Sequence, residues 1–136
     1  MLNSLIPELL VSHYDKSLIF YTEILGFKLD YDRPEDKFAM LSLEGSQLMI
    51  NQRNGWWETG SLEFPFGRGI NIQIRFSHVD KLIESLKKNS ISLYQDVEEI
   101  WRRKDDEEIG SKEFLVQDPD GYLLRFTQNV GMRKIT

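Results

Sequence analysis

The chain has no cysteine among its 136 residues, so disulfides, thiolate zinc sites and cysteine nucleophiles are excluded together. It has only two histidines, too few for a histidine-rich metal centre. No stretch approaches the ~20 apolar residues of a membrane span, and the opening MLNSLIPELL lacks the basic region that begins a secretory leader. A cytoplasmic protein with no membrane partner is expected. Basic residues are outnumbered 17 to 22, for a net charge of -5, which argues against a nucleic-acid partner and suits a cationic ligand better than an anionic one. No glycine-rich phosphate loop is present, because Gly67-Arg68-Gly69 stands before a strand and not before a helix. No serine, histidine and acid arrangement points to a nucleophile, so no catalytic residue is assigned.

What the chain does have is an internal echo. Ser12-His13-Tyr14-Asp15-Lys16 recurs 65 residues later, without a gap, as Ser77-His78-Val79-Asp80-Lys81. Each copy follows a strand-like run, Ile6 to Val11 or Asn71 to Phe76, and precedes a helix-like one. In the first, Tyr14, Leu18, Tyr21 and Leu25 recur at the helical period and Gly26 is placed to end the helix. In the second, Leu82, Ile83 and Leu86 lead to about Asn89. Ser12 with Asp15, and Ser77 with Asp80, have the spacing of a capping box. Three strands follow in each copy: Phe27 to Asp32, Phe38 to Leu43 and Gln47 to Gln52, then Ser92 to Trp101, Lys112 to Gln117 and Tyr122 to Gln128. Asp118-Pro119-Asp120-Gly121 is a turn. The sign-changing run Arg102 to Glu108 reads as a solvated loop, and His13 and His78 as exposed first-turn residues.

The fold class predicted is α+β: two βαβββ modules forming a curved mixed sheet with helices on its outer face, all within one domain of 1–136. The modules cover about 5–53 and 69–129, with a linker over 54–68. In Asn71 to Phe76 apolar and polar residues alternate, so Ile72, Ile74 and Phe76 should be buried with Leu124 and Phe126 beneath the second helix. Asn71, Gln73, Arg75 and Arg125 then share the opposite face, as Met49 and Asn51 do opposite Leu48 and Ile50.

Paired modules of this kind, the helix VSHYDKSLIFYTEILGF and the hairpin DPDGYLLRFTQ together resemble the vicinal oxygen chelate superfamily, which includes glyoxalases, extradiol dioxygenases and bleomycin resistance proteins. The resemblance implies a divalent metal held from the first and fourth strand of each module. The matching positions here are Ile6, Met49, Asn71 and Arg125, none of them histidine or carboxylate; a register two residues further on would put Glu8 in place of Ile6. No metal and no other cofactor is therefore expected. The tail VQDPDGYLLRFTQN is most similar to the bleomycin resistance branch, whose members are metal-free homodimers that sequester a cationic, aromatic drug.

That branch implies a groove shared by a homodimer and a bleomycin-type antibiotic as ligand. The candidate ligand-binding residues are Glu8, Phe38, Met49, Asn51, Trp56, Trp57, Asn71, Gln73, Trp101 and Arg125. The three tryptophans could stack on a planar ligand, or could serve as a lid or a dimer contact. Two alternatives stay open: a metal-dependent glyoxalase- or dioxygenase-like enzyme with atypical ligands, and a binding protein for another aromatic metabolite.

Overall fold

The computed structural model describes residues 1–135. Its strands are β1 (Glu8–Val11), β2 (Lys28–Arg33), β3 (Phe38–Leu43), β4 (Ser46–Gln52), β5 (Asn71–Arg75), β6 (Gln95–Lys104), β7 (Glu107–Gln117) and β8 (Leu123–Lys134). Helix α1 (Tyr14–Ile19) follows β1 and helix α2 (Val79–Lys88) follows β5. The α+β class and the strand-helix-three-strand order are as the sequence predicts. The ladders form two four-stranded sheets, ordered β1-β4-β3-β2 and β5-β8-β7-β6, each with its first strand parallel to its last and the others antiparallel. The chain divides into two compact units, one of residues 1–69 with 118–122, the other of 70–117 with 123 onward. No helix among the described residues is long and apolar enough to cross a membrane.

In the first unit, Leu9, Leu10 and Val11 are buried along β1, and Tyr14, Ser17, Phe20, Tyr21 and Leu25 along the segment that follows. That segment is α-helical only to Ile19 and then widens into a π-helical turn over Phe20–Ile24, with the Leu25 N–H donating to the Phe20 carbonyl at 3.0 Å. Gly26, at φ +86°, ends it in the left-handed conformation that its lack of a Cβ allows. Tyr21 then sits between Phe20 and Phe27, edge-on to both at 5.2 and 5.6 Å.

The second unit keeps the predicted register. Ile74, Leu124 and Phe126 are buried with Phe114 and Val116, under Val79, Leu82, Ile83 and Leu86 of α2, and the Phe114 and Phe126 rings stack at 5.4 Å. Ile72 and Phe76, nearer the strand ends, are half-buried. Asn71, Gln73 and Arg75 are exposed on the other face.

Two expectations are corrected. Neither serine stands at the N-cap: His13 and His78 hold those positions, and neither histidine makes a side-chain cap bond. The acceptor comes from the last strand of the same module. Gln52 Oε1 accepts from the Tyr14 N–H at 2.8 Å, and Gln128 Oε1 accepts from the Val79 N–H at 3.0 Å. Ser12 is drawn away instead, its N–H and hydroxyl both donating to the Asp120 carboxylate. The run Arg102 to Glu108 is no loop. It forms the paired ends of β6 and β7 around a tight turn at Asp105-Asp106, and β8 continues beside it to Lys134. Arg102 to Asp106 are exposed while Glu107 and Glu108 are half-buried, and cross-strand partners such as Glu108 and Arg133, 2.9 Å apart, pair charges there.

Candidate functional site

Strand pairing in the first unit sets Glu8 beside Met49, Met49 beside Met40, and Phe38 beside Asn51, so these side chains share the face opposite Leu9, Val11, Leu48 and Ile50. At one end of that face lies a cleft of about 420 Å³ lined by Glu8, Arg33, Glu35, Asp36, Phe38, Asn51, Asn54 and Trp57. It brings together four of the sequence-predicted residues: Glu8, Phe38, Asn51 and Trp57. The Asn51 amide donates to the carbonyls of Asp36 and Lys37 at 3.0 and 3.1 Å, which fixes the short 3-10 turn Pro34–Asp36 at the rim. Three carboxylates, Glu8, Glu35 and Asp36, face one guanidinium, Arg33. The Arg33 guanidinium carbon stands 3.9 Å from the Phe38 ring centroid, and its Nε is 3.7 Å from Asp36. A cation from the chain itself therefore already stands over one face of Phe38, whose ring is buried.

The loop carrying Trp57 is built by local bonds. Asn54 Oδ1 accepts from the Trp56 N–H, while Glu58 accepts from both the Gly55 N–H and the Arg53 guanidinium, at 2.8 to 2.9 Å. Trp57 takes a left-handed φ of 58° and is 74% exposed, and Trp56 meets it edge-on at 6.4 Å outside the cleft. A wider depression of about 520 Å³ at the start of α1 has His13, Asp15, Lys16 and Lys37 in its lining, but Tyr14 is its only aromatic and is buried.

In the second unit Asn71, Gln73 and Arg125 share the face opposite Phe114 and Phe126. Arg125 Nε donates to Asn71 Oδ1 at 2.9 Å, and its Nη1 lies 3.7 Å from Glu113. Glu113, only 1% exposed, also receives Arg102 Nη2 at 2.6 Å, and that bond holds the guanidinium above its ordinary range. Trp101 is elsewhere. Its register partner Gly110 puts it on the Phe114 face, where its ring lies so close that a Cβ at Gly110 would meet it at 2.7 Å. Arg133 covers the ring at 4.0 Å, and the indole N–H donates to Glu99 at 3.0 Å.

The residues at the four superfamily-type metal positions do not fit a divalent cation. In the first unit Ile6 precedes β1 and Glu8 is the residue paired with Met49, so a single carboxylate stands beside a thioether. In the second, Arg125 brings a positive charge and engages the oxygen of Asn71. Among the described residues, no group of three or more histidine, aspartate or glutamate side chains is placed to hold a metal.

Sequence reasoning missed Arg33, Glu35 and Asp36, which the end of β2 and the 3-10 turn carry to the cleft, and Glu113. A carboxylate beside the apolar run Phe114 to Val116 is the signal that could have found the last, since a charge within a buried strand needs a partner.

The family model of the Glyoxalase/Bleomycin resistance protein/Dioxygenase superfamily matches residues 3–126. No curated protein matches the chain. Among solved structures, a glyoxalase/bleomycin resistance protein/dioxygenase from Alicyclobacillus acidocaldarius is 24% identical, with 95% of this chain and 92% of that one covered at a TM-score of 0.64. A virulence protein from Salmonella typhimurium is 20% identical, with coverage of 96% and 99% and a TM-score of 0.66. A protein of unknown function from Agrobacterium tumefaciens is 22% identical, with coverage of 94% of each chain and a TM-score of 0.69. At these identities the likeness is one of fold.

Proposed function

This chain belongs to the glyoxalase/bleomycin resistance protein/dioxygenase superfamily, and from that membership we propose that it is a metal-free binding protein, self-associated as a homodimer, that sequesters a planar cationic small molecule of the bleomycin type without transforming it. The observation that carries the reading is the grouping of Glu8, Glu35 and Asp36 around Phe38 and Trp57 in one cleft. Carboxylates at the rim attract a cation from solution, and aromatic faces hold it once it is desolvated. The Arg33–Phe38 stack supports the second step, because it is the same contact made within the chain. Trp57, exposed on a loop pinned at Asn54 and Glu58, supplies a second ring face to a flat ligand.

Calorimetric titration with metal-free bleomycin tests the proposal. Saturable binding with the drug recovered unchanged is expected, and Trp57→Ala should weaken it by about 1–3 kcal/mol, the scale of a lost aromatic stack. No saturable heat up to tens of micromolar drug removes this ligand. One tightly held transition metal per chain by elemental analysis would instead favour the enzymatic alternative.

A further inference from the structure

Strand β6, ten residues long, is the outermost strand of its sheet. One side of its backbone pairs with β7, and among the described residues no strand pairs with the other. Such an edge is a template for another strand, and proteins commonly guard it with charge. The charge on β6 is sorted. Asp96, Glu98 and Glu99 occupy its first half, Arg102, Arg103 and Lys104 its second, with Ile100 and Trp101 between. The residues at 95–99 and 102–104 are exposed. A strand acidic in one half and basic in the other complements a second copy of itself in antiparallel alignment, while a parallel copy would face it acid to acid.

We propose that β6 is the surface through which two copies of this chain associate, as a twofold antiparallel β6–β6 pair centred on Trp101. The inference rests on the self-association in the reading above and is independent of the ligand. In this register Trp101 lies opposite its counterpart on the dyad, while the pairs Glu99 with Arg103 and Glu98 with Lys104 each occur twice about it. Arg102, already committed to Glu113, falls opposite Ile100 and needs no second partner. The Trp101 ring leans over Gly110 and away from the outer edge, which leaves the backbone open. The outer strand of the other sheet lacks this order. In β2 (Lys28–Arg33) an antiparallel self-pair centred on Tyr31 would set Asp30 against Asp32, like charges that repel.

Sedimentation of charge-reversed variants tests the surface. One variant carries Glu98→Lys and Glu99→Arg, the other Arg103→Glu and Lys104→Glu, so neither complements itself and each complements the other in all four rows. Wild type is expected to be a dimer at micromolar concentration that weakens as salt rises. Each variant alone should be a folded monomer by circular dichroism, with at least about a tenfold weaker association, and an equimolar mixture should dimerise again. Variants that dimerise alone as wild type does would overturn this surface while leaving a homodimer in place. A mixture that stays monomeric would also overturn it, and a monomeric wild type would overturn the homodimer itself.

Discussion

The Tyr21 hydroxyl donates to Asp118 Oδ2 at 2.7 Å across 97 residues of chain, and both groups are buried. Asp118 Oδ1 accepts the N–H groups of Asp120 and Tyr122 as well. Loss of water outweighs these three donors and pushes Asp118 from 3.8 up to about 6. The folded state therefore binds the Asp118 proton more tightly than the unfolded chain does. That proton's contribution to stability is full below the unfolded value of 3.8 and is lost as pH rises through about 6. Relative to Asp118→Asn, wild type should lose about 2 kcal/mol of stability between pH 4 and pH 7. Urea unfolding of both proteins across that range checks it, and parallel curves would refute it.

Gly121 and Gly45 sit in equivalent turns, at φ +92° and +89°. A Cβ at Gly45 meets nothing within 4 Å, whereas one at Gly121 would lie 2.6 Å from Pro65 Cα. Gly45→Ala should cost only left-handed strain, about 1–2 kcal/mol. Gly121→Ala adds a collision with backbone and should unfold at clearly lower denaturant than the first variant. Equal midpoints would contradict the close approach.

The glutamine caps make a matched pair. Gln52→Ala and Gln128→Ala should each lower stability by about 0.5–2 kcal/mol, the range for a lost N-cap. Hydrogen exchange should quicken selectively at Tyr14 in the first variant and at Val79 in the second. Ser12→Ala should leave the Tyr14 amide as protected as before.

Arg33 competes for the ring that a cationic ligand needs. Arg33→Gln should tighten binding of a cationic aromatic ligand several-fold by vacating the Phe38 face and freeing Asp36, and should leave a neutral analogue unaffected. Weaker binding of the cationic ligand, measured by calorimetry, would place Arg33 among its holders instead.

How much of this was legible in the sequence depended on distance along the chain. The alternation in Asn71–Arg75 is a local signal, and it put Ile74 inside and Gln73 outside without reference to any other segment. The caps could not be read this way, because Gln52 and Gln128 lie 38 and 49 residues from the N–H groups they serve, while Ser12 and Ser77 offered the right spacing nearby. The charges of Arg102 to Asp106 reported exposure correctly and pairing not at all, because Arg102 and Glu108 find their partners Glu113 and Arg133 11 and 25 residues away. In the candidate site, Glu8, Phe38, Asn51 and Trp57 were found as separate residues. The sheet register and the 3-10 turn bring them to one cleft, and the same turn adds Glu35 and Asp36.

The first compact unit is discontinuous in sequence, since 118–122 belong to it along with 1–69. Asp118 takes the Tyr21 hydroxyl, Asp120 takes Ser12, and the Tyr122 hydroxyl donates to the Leu10 carbonyl at 2.8 Å. During synthesis, the half that leaves the ribosome first therefore waits for residues near the end of the chain before its buried hydroxyl is satisfied. A fragment cut in the 54–68 segment would carry α1 and all of its own strands and still be incomplete. The repeat visible in the sequence is thus not a unit of folding, and a gene for one module alone should not encode a stable protein.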